Sequence, residues 1–72
     1  MKITVSFFGS LKKYDPNLEW EDVNTVADIV SRTPGFAGES GYLIYRNGDI
    51  CDVHTGIEEG DKIRFSPMIM GG

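Results

Sequence analysis

Cysteine and histidine are almost absent from this 72-residue sequence, which has one of each, Cys51 and His54. A single cysteine excludes a disulfide within the chain and is typical of a protein that stays in the reducing cytoplasm. Neither residue belongs to a paired spacing such as C-x-x-C or H-x-x-x-H, so we expect no metal site. We interpret Cys51 as a small packing residue and His54 as a surface side chain, because a nucleophile needs a base and a third group that orients the base.

Basic residues and long apolar runs are also scarce. Seven Lys and Arg against 11 Asp and Glu give a formal charge of −4, which argues against nucleic acid and anionic membranes as partners. No apolar run approaches the ~20 residues of a membrane-spanning helix, and Met1 leads directly into a strand pattern, so we expect no signal peptide. Five acidic residues share one short stretch: Asp49, Asp52, Glu58, Glu59 and Asp61. They form either an acidic face for a basic protein partner or a set of solvated loop charges.

Phosphate-binding motifs are missing too, since the glycines match neither the dinucleotide fingerprint nor the phosphate loop. A chain of 72 residues makes one domain with a small core and no room for a deep active site. Four Phe, three Tyr and one Trp among 40% hydrophobic residues are typical of a globular domain and not of a disordered chain.

Two strands are predicted before the middle of the chain. "MKITVSFFGS" alternates with Ile3, Val5 and Phe7 on one face, and Phe8 breaks the alternation. "LKKYDPN" then supplies turn residues. "LEWEDV" predicts a second strand in which Leu18 shares a face with Trp20.

One helix is predicted in "NTVADIVSRTPG", where the apolar residues Val26, Ile29 and Val30 have helical spacing. Thr25 and Asp28 make a capping-box-like pair at its start, and the Pro-Gly pair at 34–35 ends it. "GFAGESG", with three glycines, is predicted to be a flexible loop.

The strand pattern returns in "YLIYRNGDICDV", where Asn47-Gly48 is a strong hairpin signal. Gly60-Asp61 turns into a last strand with Ile63 and Phe65 inward and Lys62 and Arg64 outward. The order predicts an α+β fold: a mixed sheet of four to five strands with one main helix packed on one face. We expect the first and last strands to lie side by side at the centre of the sheet, with a domain over residues 1–67 and a flexible tail over 68–72.

The carboxyl-terminal segment carries a family resemblance. "GDKIRFSPMIMGG" closely resembles the end of the ubiquitin-like sulfur carriers of molybdopterin and thiamine synthesis, which finish in a strand, a proline-containing segment and Gly-Gly. "TVADIV" and "LIYRNGDI" resemble the helix start and hairpin of ubiquitin-like folds, and "ITVSFFGSLKKY" is similar to the opening of the small subunit of molybdopterin synthase. The resemblance implies a ubiquitin-like β-grasp fold.

The resemblance also implies a function. The carboxylate of Gly72 would be adenylated by a partner of the ubiquitin-activating type, which binds the ATP and Mg²⁺, and would then take sulfur from a donor such as a cysteine desulfurase. The resulting thiocarboxylate would pass its sulfur to an acceptor synthase or large subunit, with Gly71 giving clearance in the partner's cleft. The chain would thus be a carrier and not an enzyme in its own right.

Six residues are predicted to contact partners: Ile44, Phe65, Pro67, Met68, Ile69 and Met70. The apolar tail residues suit docking to more than one partner; the alternative is a continuation of the last strand against the core. On the strand of Ile44, either the Tyr42/Ile44 pair or the Leu43/Tyr45 pair faces the helix, and the other is a candidate docking surface or a partly covered outer face.

Two other functions fit the same residues. The activated Gly72 carboxylate could be joined to lysines of target proteins, which would make the chain a ubiquitin-like modifier. Alternatively, the chain is a ubiquitin-like interaction domain whose terminal glycines have no chemical role. All three functions predict the same fold.

Overall fold

A computed structural model describes residues 2–14 and 20–68 of the chain. The elements are, in chain order, β1 (Thr4–Phe7), a first 3₁₀-helix (Gly9–Tyr14), α1 (Val26–Arg32), a second 3₁₀-helix (Phe36–Gly38), β2 (Tyr42–Arg46), β3 (Asp49–Cys51) and β4 (Lys62–Pro67). None of the helices in these two ranges has the length and hydropathy of a membrane-spanning segment.

The described strands form one mixed sheet in the order β1-β4-β2-β3. β1 pairs with β4 in parallel, and β2 pairs with both β4 and β3 in antiparallel fashion. The predicted adjacency of first and last strands is therefore confirmed. The predicted position at the centre of the sheet is right for β4 but wrong for β1, which lies at one end of this four-stranded order.

Helix α1 begins where the sequence predicts. The Asp28 carboxylate accepts hydrogen bonds from the backbone N–H groups of Asn24 (2.7 Å) and Thr25 (3.1 Å), which satisfies donors that a helix start leaves without partners. The same two bonds hold the pKa of Asp28 below its ordinary value. At the other end, the buried Thr33 hydroxyl donates to the Ile29 carbonyl at 2.8 Å, and Gly35 takes a left-handed φ of +80°.

The core lies between α1 and one face of the sheet, here called the inner face. Val26 and Ile29 of α1 are 0% exposed, and they belong to one cluster with Ile63 and Phe65 of β4. This confirms the predicted α+β fold with one main helix on one face of a mixed sheet. The alternate residues of each strand form the opposite, outer face.

The second predicted strand is wrong for its described part. Residues 20–23 form no strand, although Trp20 and Val23 are buried at 6% and 1% exposure; the rest of that prediction, residues 18–19, lies outside the described residues. The apolar spacing correctly indicated that these side chains are buried. Over so few residues, however, a buried irregular segment has the same apolar pattern as a strand.

Two stretches predicted as turn and loop are short helices. Residues of "LKKY" lie in the first 3₁₀-helix, which buries Leu11. "FAG" forms the second 3₁₀-helix, where Phe36 is 0% exposed. The predicted flexible loop is thus anchored in the core by its one aromatic side chain.

Candidate functional site

The predicted tail lies only partly within the described residues. Ile69, Met70, Gly71 and Gly72 are outside them. Pro67 ends β4 and Met68 follows it with its side chain exposed; these two residues are called the tail base below. The division into a domain over residues 1–67 and a tail over 68–72 stays a prediction.

The tail base is held by main-chain contacts from β2. Pro67 pairs with Tyr42 at the end of the antiparallel ladder. Met68 then donates its backbone N–H to the Gly41 carbonyl at 2.8 Å, and Gly41 has a left-handed φ of +70°. The ladder therefore continues by one hydrogen bond beyond β4.

Aromatic rings pack beneath the tail base on the inner face. Phe65 stacks on Phe7 at a centroid distance of 5.0 Å, and Phe36 meets both rings edge-on at 5.0 and 5.3 Å. Tyr42 packs against Phe36 at 4.9 Å. The last strand thus ends beside a cluster of packed aromatic rings.

Phe65 and Ile44, expected to contact partners, lie in this core. Their exposures are 0% and 5%, because odd residues of β4 and even residues of β2 face α1. Neither side chain offers a surface to a partner in the folded domain, so those two assignments are corrected. Of the two pairs on β2, Leu43 and Tyr45 are the ones on the outer face.

The outer face carries a groove that the sequence did not predict. Arg64 lies over the ring of Tyr45 at 4.4 Å and over that of Phe8 at 5.3 Å. Phe8 is 45% exposed, and Ile50, which pairs with Tyr45, is 69% exposed. The signal that could have found this surface is the break in alternation at Phe8, which places a second ring on the side opposite Phe7.

The groove is cationic although the whole chain is acidic. Its charged lining residues are Lys62 and Arg64, and Thr4, Ser6 and Asn47 add polar groups. No carboxylate is among the described residues that line it. The surface therefore combines aromatic area with positive charge, which suits a partner segment that presents carboxylates beside apolar side chains.

The acidic stretch of residues 49–61 does not form a simple acidic face. Asp61 is 5% exposed and accepts hydrogen bonds from Arg46 Nε (2.7 Å), Asn47 Nδ2 (3.0 Å) and the Glu58 backbone N–H (2.8 Å). Those bonds, that of Arg46 first, lower the pKa of Asp61 to about 2. Asp61 is a structural residue, missed because composition cannot distinguish a paired carboxylate from a solvated one.

Other carboxylates of this stretch also have partners within the domain. Asp52 accepts the backbone N–H of His54 at 2.8 Å, and Glu59 accepts that of Lys2 at 2.6 Å. Glu58 lies 3.5 Å from Arg46 Nη2. These contacts favour loop closure over partner binding as the role of the acidic residues.

Cys51 and His54 show no catalytic arrangement. The Cys51 side chain packs against the core, and burial raises the pKa of its thiol, which disfavours the reactive thiolate. His54 is exposed. Over the described ranges, no three His, Cys, Asp or Glu residues are grouped so that they could hold a metal ion.

The sheet topology and the one main helix of the described residues define a ubiquitin-like β-grasp domain. Its fold matches the crystal structure of SAMP1 from Haloferax volcanii with a TM-score of 0.68 and 21% sequence identity, over 97% of this chain and 98% of that one. The ThiS family model matches residues 5–72, so the chain belongs to the ThiS family. No curated protein matches the sequence closely enough to be a relative.

Proposed function

We propose that this protein is a sulfur carrier whose reagent is the carboxylate of Gly72. A separate adenylating enzyme activates that carboxylate, and the thiocarboxylate formed from it donates sulfur in the synthesis of molybdopterin or thiamine. The observation that carries the proposal is the ThiS family match, which extends through both terminal glycines.

The chemistry explains why a carrier needs a partner. A carboxylate is a poor electrophile, because it is negatively charged and has no good leaving group. In the first step its oxygen attacks the α-phosphorus of ATP and pyrophosphate leaves, so that Gly72 becomes an acyl adenylate. The ATP and Mg²⁺ are bound by the partner, where the cation offsets phosphate charge.

The second stage replaces oxygen by sulfur. The terminal sulfur of a protein persulfide, such as that of a cysteine desulfurase, attacks the acyl carbon and AMP leaves. A thiol then reduces the acyl disulfide, which releases the Gly72 thiocarboxylate and leaves a disulfide between the thiol and the donor cysteine. This chain supplies the carbonyl carbon and no catalytic side chain.

Two contacts with the activating enzyme belong to this proposal, one through the described surface and one through the residues after it. The groove around Phe8, Tyr45 and Arg64 docks the folded domain, and the tail beyond Met68 enters the nucleotide site. Ordering a peptide costs on the order of 1 to 2 kcal/mol per residue, so burial of Met68, Ile69 and Met70 must recover that cost. Gly71 allows close passage because it lacks Cβ.

Intact mass tests the proposal. The purified chain is incubated with ATP, Mg²⁺, a cysteine desulfurase with cysteine, and an activating enzyme. We expect a gain of about 16 Da from replacement of one oxygen by sulfur, and we expect no gain when Gly72 is deleted. Omission of ATP is the second control, since the unactivated carboxylate should not accept sulfur.

Two results would contradict the proposal. One is an unchanged mass with an activating enzyme that thiocarboxylates another carrier in the same assay. The other is a ladder of heavier species joined through Gly72 to lysines, which would identify the chain as a protein modifier instead.

A further inference from the structure

The last residues of β4 are held from both neighbouring strands. β1 runs parallel to β4, so Gly9, two residues beyond the carboxyl end of β1, lies beside Pro67. β2 runs antiparallel, so the residue before it, Gly41, lies beside Met68. The tail base therefore sits between two glycines, each with positive φ.

Gly9 makes the closer approach. Its φ is +57°, and a Cβ at this position would lie 2.9 Å from Pro67 Cγ and 3.3 Å from Pro67 Cδ. Real Cβ atoms essentially never come that near, so with a side chain at residue 9 either the Pro67 ring or the main chain of residue 9 must shift. The Pro67 ring closes on its own backbone nitrogen and restricts φ, so a shift of Cγ and Cδ is passed to the backbone of the tail base.

We propose that Gly9 is a positioning residue for the reaction of Gly72: it lets Pro67 seat against the main chain of residue 9, and this contact sets the direction in which the tail leaves the domain. The inference rests on the proposed function, since direction matters only if Gly72 must reach a fixed point in a partner. The hydrogen bond from Met68 to the Gly41 carbonyl completes the same arrangement.

Direction at Pro67 matters because the remaining chain is short. Residues 69–72 span at most about 14 Å when fully extended. A rotation at the tail base therefore moves the Gly72 carboxylate by a large share of that length, and a misplacement of about 1 Å can reduce a reaction rate roughly 100-fold. Docking through the outer face does not depend on this direction.

The first test is Gly9→Ala, with Gly60→Ala as matched control. Gly60 also has positive φ, +87°, but a Cβ there would meet nothing within 4 Å, so the control carries the conformational strain without the contact. The measurement is ATP–pyrophosphate exchange by the activating enzyme with the full chain as substrate. For Gly9→Ala we expect kcat to fall about 10-fold or more with KM within about 2-fold, and for Gly60→Ala we expect both to stay within about 2-fold.

A rescue experiment separates the contact from general strain. Pro67→Ala removes the ring atoms Cγ and Cδ that the added Cβ would meet. On its own it should lower kcat by only a few fold, and the double variant Gly9→Ala/Pro67→Ala should match Pro67→Ala to within about 2-fold. If the double variant is as slow as Gly9→Ala, then the substitution at residue 9 does not act through the Pro67 ring, and the proposal is overturned.

Hydrogen exchange of the Met68 amide gives a readout without activity. We expect its exchange to be faster in Gly9→Ala and unchanged in Gly60→Ala, because only the former disturbs the bond to Gly41.

If the wild-type chain supports no exchange of pyrophosphate, the proposed function fails while the amide comparison still shows whether Gly9 seats Pro67. If the wild type is active and Gly9→Ala matches Gly60→Ala in both measurements, the positioning role is wrong. Should Gly9→Ala not fold, Pro67→Ala alone decides, since unchanged kcat and Met68 exchange would then overturn the proposal.

Discussion

Asp61 shows how one side chain ties the end of the sheet together. Its carboxylate joins Arg46 and Asn47 of the hairpin to the Glu58 backbone of the preceding loop. Asn47 has a left-handed φ of +52°, which few residues other than Gly, Asn and Asp adopt readily. The network therefore fixes both the hairpin turn and the entry into β4, the strand that leads to the tail.

The depressed pKa of Asp61 predicts acid sensitivity. A carboxyl whose pKa is about 2 when folded and 3.8 ordinarily stabilises the folded state above the ordinary value and loses that contribution as pH falls through the folded value. We expect the difference in unfolding free energy between wild type and Asp61→Asn to shrink by about 2 kcal/mol between pH 5 and pH 2. Urea titrations at a series of pH values measure it.

The control for this prediction is Asp49→Asn, which removes an exposed carboxylate from the same stretch. We expect that variant to change stability by less than about 0.5 kcal/mol. A gap between wild type and Asp61→Asn that stays constant over the whole pH range would contradict the assigned network.

At the scale of elements, the sequence predicted those helices and strands that are determined by residues close together in the chain. Helix α1, the Asn47-Gly48 hairpin and β4 were found because period and end signals are carried by neighbouring residues. The second 3₁₀-helix was missed for the opposite reason. The three glycines of its segment, at positions 35, 38 and 41, favour a loop, and packing of Phe36 against rings from distant segments gives it a fixed structure.

The packing of the second 3₁₀-helix should accordingly depend on the ring of Phe36. Phe36→Leu keeps an apolar side chain but loses the edge-on contacts to Phe7 and Phe65 and leaves unfilled volume. We expect unfolding free energy to fall by about 2 kcal/mol. Urea denaturation measures the loss, and Ile50→Ala serves as control because Ile50 is 69% exposed. An equal loss in both variants would mean that the ring contacts add nothing specific.

At the scale of the whole molecule, the tail was predicted from the sequence and the groove was not. Gly71 and Gly72 are adjacent in the sequence, and the role proposed for them rests on a resemblance that neighbouring residues carry. The groove needs Phe8, which directly follows β1, together with Tyr45 of β2 and Arg64 of β4. Only the strand register, with Tyr45 opposite Arg64, brings them together.

The charge distribution allows docking at the groove to be tested independently of the tail. The chain carries −4 overall, yet Lys62 and Arg64 make this surface locally positive, so partner carboxylates should be attracted to it selectively. Net charge and local charge can be separated by reversing one cation at a time. Lys12 is the matched position, because it is exposed on the first 3₁₀-helix and does not line the groove.

For Arg64→Glu we expect the KM of the activating enzyme for this chain to rise about 10-fold with kcat nearly unchanged, because docking weakens while the path of the tail is intact. The effect should diminish between 50 mM and 500 mM salt, since screening removes the attraction that the variant has lost. Lys12→Glu makes the same change in net charge and should leave KM within about 2-fold. An equal rise in both variants would show that net charge alone governs association, and a fall in kcat without a change in KM would place Arg64 with the reacting tail and not with docking.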